Sequence, residues 1–568
     1  MKKLYISILL LFPLLTFSQI AFTSTIPPDL SAYGEATSYP GQGEYEIFLS
    51  ADNILDKPII IVDGLDAGDL RDINGIYSLL DFTNTTGTQN LADQLRAEGF
   101  DIVILNFPVY TRVEDAEIID GGSDFIERNA MLLTELIEII NIDKASNNPE
   151  QNVIIGPSMG GLISRYALNY MEANSIDADT RLYISFDAPH NGANVPIGLQ
   201  HQLNYLAYNA LYPVTELEPV IEDLLKSTAS KQLLVDHFEA HLSGNDLVTF
   251  DASATLPEPH PFRTIFETHI NNLTASGFPE DVRNVAIING SGNGSPYLAA
   301  DGVTPITNGF AIADVTLPVE VPVLGTVDVE IELNMTPAAG SPQQVSRFFA
   351  PLLPPFVPNV ESIANSGTTN FDGIDSAPGG LFDLSNLTAS FGGTGGIGED
   401  FFTALQIDKF SFIPSVSALA LDITDATTNY DINWHYPIDL DDSETTDNTP
   451  FANIFAPDAN EPHLQLTEAN VAFVLAEILA ASLNIPDSEL LTMQLEKNPV
   501  QNELVLRSNL NSTATVVISD LTGKIVFNST RELTSRTAIQ VDLTSGFYIL
   551  NVLGQNNGSY TTKFIVNK

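Results

Sequence analysis

The sequence predicts an α/β protein: a doubly wound, mostly parallel sheet with a helical cap and a β-rich insertion, followed by a separate all-β sandwich. Three observations point there. Between Pro58 and Phe186, short apolar runs without period-two alternation take turns with amphipathic stretches, the pattern of strands buried on both faces and the helices that cover them. Within that region, Asn152 to Arg165 (NVIIGPSMGGLISR) reads as strand, sharp turn and helix. From Leu491 onward the alternation gives way to short strand-like segments separated by turns, with no helix among them.

In chain order, Met1-Lys2-Lys3 supplies positive charge, Leu4 to Leu15 an apolar run, and Thr16-Phe17-Ser18 a small-x-small cleavage site. Residues 1–18 therefore read as a secretory signal peptide, with the exported chain expected to start at Gln19. Its apolar run is too short to span a bilayer, and no later stretch approaches the ~20 residues a transmembrane helix needs. Residues 19–56 carry turn signals (Tyr39-Pro40-Gly41) and are expected to form a leading antiparallel edge. They open a catalytic domain expected over 19–485. Strands follow at Pro58 to Val62, Phe100 to Asn106 and Arg181 to Phe186, with helices at Leu91 to Glu98 and Ser123 to Ile140.

A cap is expected over about 195–280, with helices at Gln202 to Ala210, Glu216 to Leu225, Lys231 to Leu242 and Arg263 to Leu273. Val282 to Ile288 returns to the sheet. The insertion, about 290–400, shows alternation at Val319, Val321, Val323, Val327, Val329, Ile331 and Leu333 around Gly325, the signature of a hairpin. Loops such as Gly392 to Gly398 follow, then a last helix at Glu468 to Ala481 and a linker at Asn484 to Ser488. The segments ELVLRS, ATVVISD, KIVFN, AIQVDL, GFYILNV and TKFIVNK are the strands of the sandwich, 491–568.

Composition excludes several functions. With 23 Lys+Arg against 72 Asp+Glu the formal charge is −49, so nucleic acid is not an expected partner. The chain has no cysteine, which rules out disulfides, thiolate zinc sites, a cysteine nucleophile and a lipid anchor on cysteine. No motif calls for a cofactor. Asp439 to Glu444 (DLDDSE) offers clustered carboxylates for a structural calcium, but lacks the spacing and glycine of an EF-hand loop and reads as a solvated acidic turn.

The chemistry gathers at Gly156-Pro157-Ser158-Met159-Gly160. A serine on so tight a bend needs small neighbours, because a side chain at Gly156 or Gly160 would strike the adjoining strand or helix. The bend lifts the Ser158 hydroxyl above the sheet as a nucleophile and turns the Met159 amide toward a developing oxyanion. His463, in Glu461-Pro462-His463-Leu464, lies on the loop before the last helix, where a general base can reach the serine; His190 is its rival. His201, His237, His241, His260 and His269 fall in the cap, and most of them are expected on its surface. The acid that orients the base is expected at Asp187, with Asp408 and Asp422 as alternatives, since the loop after Val282 to Gly290 reads SGNGSP and holds no acid. Leu65, in Asp63-Gly64-Leu65-Asp66, is expected to give the second oxyanion amide.

The run GPSMGGLISRYAL resembles the nucleophile elbow of the α/β-hydrolase superfamily, in its lipase-like branch. SFDAPHNGANVPIGLQ resembles a segment of bacterial lipases and of GPI-inositol-deacylase-like hydrolases; in the bacterial lipases that histidine is not catalytic, which implies His463 over His190. FIPSVSAL is similar to the lipase segment that carries the triad acid, but Phe410 stands where that acid would be. In the tail, Asn498-Pro499-Val500, VVISDLTGKIV, SGFYILNV and the terminal KFIVNK resemble a type IX secretion C-terminal sorting domain. The resemblances imply a secreted or surface-attached serine hydrolase that cleaves carboxylic esters of lipid or other alcohols and is exported by the type IX machinery. A serine peptidase or amidase on the same fold, and a non-catalytic surface binding protein, are the competing expectations.

Overall fold

The computed structural model describes residues 19–568 apart from 211–212, 245, 322–324, 341, 353–357, 386–396, 423–431, 483–492, 509–511, 521–523 and 555–558. The signal peptide, the linker at Asn484 to Ser488 and most of the loop at Gly392 to Gly398 lie outside the described residues. The chain divides into two compact units, Met1–Leu475 and Ala476–Lys568.

The first unit is built on one sheet. Its strands are β1 (Ile20–Thr23), β2 (Gln42–Phe48) and β3 (Pro58–Val62), then, past the hairpin β4 (Asp81–Asn84) and β5 (Gly87–Asn90), β6 (Asp101–Asn106). Beyond a second hairpin, β7 (Val109–Thr111) and β8 (Ile118–Asp120), come β9 (Asn152–Pro157), β10 (Thr180–Phe186) and β11 (Arg283–Ile287). The insertion supplies β12 (Ala311–Val321), β13 (Gly325–Asn334), β14 (Gln343–Ala350), β15 (Val360–Ser366), β16 (Gly379–Asp383) and β17 (Lys409–Pro414), and the last sheet strand is β18 (Asn453–Phe455). The sheet order is β1-β2-β6-β3-β9-β10-β11-β18. Strands from β6 to β18 run parallel, while β1 and β2 form the antiparallel edge expected from residues 19–56.

Every residue of β3 (PIIIV) and β6 (DIVILN) is buried, as their unbroken apolar runs require of strands covered on both faces. Helices α1 (Ile73–Ser78) and α2 (Leu91–Ala97) start at Asp72 and Asn90, whose side chains cap the first turns. The long helices α3 (Ile126–Lys144) and α4 (Met159–Ala173) pack on each other and on the sheet. They bury Ala130, Leu133 and Ile137 from α3, and Leu162, Ile163 and Met171 from α4.

The cap consists of α5 (Ile197–Tyr208), a π-helical turn at Val220–Leu225, α6 (Thr228–Leu233) and α7 (Pro261–Asn271). The helix expected over Lys231 to Leu242 stops at Leu233. Backbone bonds from Ala193 N–H to Leu233 O (2.8 Å) and from Val235 N–H to Ala193 O (3.0 Å) pull the chain into an extended path there. Such a partner, some forty residues away, leaves no mark in the local periodicity.

In the insertion, β12-β13-β14-β15 form an antiparallel sheet whose Val327, Val329, Ile331 and Leu333 are buried. Helix α5 lies against it at Gly198, where a Cβ would come within 2.4 Å of the Val345 carbonyl oxygen. A separate antiparallel pair, β16 and β17, carries the chain back toward the carboxyl end of the main sheet.

The second unit contains two antiparallel sheets. One joins Met493–Leu495, Glu503–Ser508 and Arg536–Gln540; the other joins Ile525–Leu533, Ser512–Asp520, Gly546–Gly554 and Ser559–Val566. Leu504, Leu506, Val516, Ile518, Leu550, Val552 and Phe564 share one apolar core.

Candidate active site

Ser158 sits between β9 and α4 with φ 53° and ψ −130°, a left-handed conformation that a non-glycine residue adopts only under strain. The strain is held by close packing on either side. A Cβ at Gly156 would meet Gly160 O and Gly161 Cα at 2.6 Å, and one at Gly160 would meet Val62 O at 2.4 Å. At both positions a side chain would strike backbone, as the elbow spacing predicts.

His463 follows β18 on a loop tied to the insertion. Its N–H donates to Leu381 O (2.8 Å), Leu381 N–H donates to Glu461 O (3.0 Å), and Pro462 bridges to β16. The imidazole Nε2 lies 2.9 Å from Ser158 Oγ and Nδ1 lies 2.7 Å from Asp187 Oδ2. Asp187, one residue past β10, is wholly buried and has φ 47°. Its other oxygen accepts the Asn289 N–H at 3.0 Å. The Phe412 ring stands edge-on to the imidazole, with centroids 5.2 Å apart. Hydroxyl, imidazole and carboxylate thus form one hydrogen-bonded chain across three distant segments.

The other acids and histidines lie elsewhere. Asp408 and Asp422 are exposed, and Asp408 is 3.9 Å from Lys409. His190 is buried with its Nε2 2.8 Å from Ser185 Oγ, between the rings of Phe278 and Phe451, and burial pushes its pKa well below the usual value. The expectation that the cap histidines are surface residues is wrong for His201, His237 and His241, which are buried. Each has polar partners that make burial tolerable: His201 lies between Ser346 and Ser362, His237 against Leu225 O, and His241 2.6 Å from Asp236. Burial opposes charge on His241, but the Asp236 carboxylate outweighs it and lifts the group to about 9.

Gly64 closes the floor of the site: a Cβ there would lie 3.2 Å from Ser158 Cβ and 3.3 Å from Pro157 O. Leu65 lines the same cleft as Ser158, His463 and Phe412, and Met159 begins α4 directly after Ser158. Arg71 is the one cation among the described residues lining the cleft, whose rim also carries Asp66, Glu216 and Asp223. Against Leu65, Phe382 and Phe412 the cleft adjoins a small apolar recess, walled also by Leu199, Leu203 and Leu224.

Sequence reasoning missed Asn289, Gly380 and Phe412. Asn289 lies two residues past β11, the strand after which no acid was found, and its N–H holds the acid that follows the neighbouring β10 instead. Gly380 packs under that acid, where a Cβ would fall 1.9 Å from Asp187 Oδ2. No local motif marks either position, because the insertion brings β16 there from afar. Among the described residues no group of three or more His, Asp or Glu side chains is placed to hold a metal ion. The carboxylate of Asp439 accepts the Asp441 N–H in a local turn.

Residues 55–219 match the PGAP1-like alpha/beta domain, and residues 498–567 match the secretion system C-terminal sorting domain. Similar solved structures include a serine hydrolase without lid, XC6422 from Xanthomonas campestris, at 16% identity and TM-score 0.20 over 32% of this chain and 65% of that one. A bacterial brefeldin A esterase is 10% identical over 50% of this chain and 63% of that one, TM-score 0.22. A thermostable carboxyl esterase from Bacillus coagulans is 12% identical over 48% and 79%, TM-score 0.24. The chain thus spans just under two thirds of the Xanthomonas hydrolase and of the brefeldin esterase. A search of curated proteins returned no match. The first unit has the mostly parallel sheet of an α/β hydrolase, and the tail's match to a sorting domain points to export.

Proposed function

We propose that the protein is a secreted serine hydrolase that cleaves carboxylic esters through an acyl-enzyme. The observation that carries this is the Ser158–His463–Asp187 chain, with spacings of 2.9 and 2.7 Å, at the floor of an open cleft. Ser158 Oγ attacks the ester carbonyl while His463 Nε2 takes its proton, and Asp187 holds the imidazole with the proton on Nδ1. The amides of Met159 and Leu65 receive the oxyanion. His463 then returns the proton to the departing alcohol, and water, activated by the same histidine, releases the acid from Ser158. The apolar recess beside the nucleophile favours a hydrocarbon acyl chain over a peptide. Export by the type IX machinery, with release or surface attachment afterwards, is the localisation that the sorting domain favours.

Hydrolysis of p-nitrophenyl esters of graded chain length by the wild type and by Ser158→Ala tests the reading. Turnover by the wild type and its loss in the variant are expected. Equal activity in both excludes Ser158 as nucleophile. Wild-type cleavage of anilides but of no ester shifts the assignment to an amidase, and cleavage of neither favours a binding role.

A further inference from the structure

We propose that Arg71 is a positioning residue for acyl transfer: its guanidinium pins the loop Asp63–Asp66 so that the Leu65 N–H faces the oxyanion beside that of Met159. This rests on Ser158 being the nucleophile. One Arg71 Nη donates to Leu65 O at 3.0 Å and to Asp63 Oδ1 at 3.1 Å, and the Arg71 backbone N–H donates to Asp66 Oδ2 at 2.8 Å. From the opposite side, Asp66 N–H donates to Gly122 O at 3.1 Å, and Gly122 lies so close to Asp66 O that a Cβ would come within 2.3 Å. The peptide linking Leu65 to Asp66 is therefore held at its carbonyl by Arg71 and at its amide by Gly122. One step back, Asp63 N–H donates to Leu105 O at 3.0 Å, and the Asp63 carboxylate accepts from Arg71.

Between these two anchored peptides lies the one joining Gly64 to Leu65. Among the described residues its N–H has no acceptor, whereas those of Asp63 and Asp66 do. It is left to donate to a ligand. Its direction is set by its neighbours, and the shared Arg71 Nη grips both flanks at once. The second Nη lies 3.8 Å from Asp66 Oδ1, a further contact that the single nitrogen of a lysine does not reproduce.

Energetics support orientation over mere stability. Asp63 is almost fully buried, one of its oxygens has no partner, and burial raises its carboxyl to about 6 even beside Arg71. Desolvating such a pair tends to offset its own attraction, so two apolar residues would hold the loop at least as firmly. What they would not supply is a defined rotation of the Leu65 peptide.

Full-length Arg71→Ala and Arg71→Lys, with Ser158→Ala as control, are compared by three readouts: steady-state ester hydrolysis, the rate of Ser158 labelling by a fluorophosphonate, and thermal unfolding. Losing an oxyanion donor outright costs ~10²–10³ in rate, and a misdirected donor should cost about 10- to 100-fold. For Arg71→Ala that loss is expected in kcat and in labelling rate, with KM changed less than about threefold and partial rescue by free guanidinium. Where Arg71→Ala does not fold, Arg71→Lys carries the same test. A folded variant that labels and turns over at the wild-type rate overturns the proposal and leaves the nucleophile untouched. A loss confined to KM, or one that follows the unfolding temperature without rescue, also overturns it. Failure of the wild type to label at Ser158 removes the hydrolase reading itself, and the proposal with it.

Discussion

Replacing Gly160 with alanine sets a Cβ 2.4 Å from the carbonyl oxygen of Val62 and 2.7 Å from that of Asp63. Ordinary contact begins at 3.4 Å, so the start of α4 and the end of β3 must separate by about 1 Å. Both obstacles are backbone, and no side chain can rotate away. The two segments forced apart carry the two oxyanion amides: Met159 opens α4, and Leu65 follows β3. A displacement of that size costs about 10²-fold when it falls on a positioned catalytic group. Overpacking adds a stability loss of about 1–3 kcal/mol, small enough for a domain of this size to remain folded. Steady-state hydrolysis of a p-nitrophenyl ester, with thermal unfolding as the check on folding, gives both numbers. Gly160→Ala is expected to lose about 10²-fold in kcat with little change in KM. A folded variant with kcat within threefold of wild type would refute the placement of the oxyanion hole between α4 and β3.

Asp187→Asn should leave the fold intact and lower kcat by about 10⁴, because the amide favours the wrong imidazole tautomer; kinetics beside circular dichroism measure this. Gly380→Ala drives a methyl group into Asp187 Oδ2, 1.9 Å away, and should both destabilise the protein and slow it, as unfolding and rate measurements will show. Leu203→Trp fills the apolar recess and should raise KM for long acyl chains while sparing acetate and butyrate esters, read from a chain-length series. Burial holds the Asp63 carboxyl at about 6 against a reference of 3.8. A raised folded-state pKa gives a stability contribution that is complete below about pH 4 and lost as pH rises through about 6. Relative to wild type, Asp63→Asn should therefore gain stability between pH 4 and pH 7, by no more than about 3 kcal/mol, measured by denaturant unfolding across that range.

Much of this was legible in the sequence because its signals are local. The elbow is announced by two glycines at which any side chain would strike backbone, and β3, β6, β9 and β10 by apolar runs that make sense only when both faces are covered. Chain order pointed to His463, which follows the last sheet strand and lies 2.9 Å from Ser158. Asp187 was reachable because the usual position after β11 is empty of acids. What stayed hidden depends on long-range partners. The cap helix ends at Leu233 because Ala193 offers it a backbone partner, and Asn289 and Gly380 serve the triad from segments whose proximity only the folded insertion creates. Buried histidines such as His201 looked like surface residues for the same reason: Ser346 and Ser362, which satisfy its ring, lie some 150 residues away.

The central claim is that Ser158, His463 and Asp187 act as one unit, and active-site labelling tests it most directly. A fluorophosphonate should modify the wild type at a single site, assigned to Ser158 by peptide mapping, with one label per chain. His463→Ala should slow that reaction by orders of magnitude, and Ser158→Ala should abolish it. A label on a different residue, or labelling of Ser158 at undiminished rate without His463, contradicts the account.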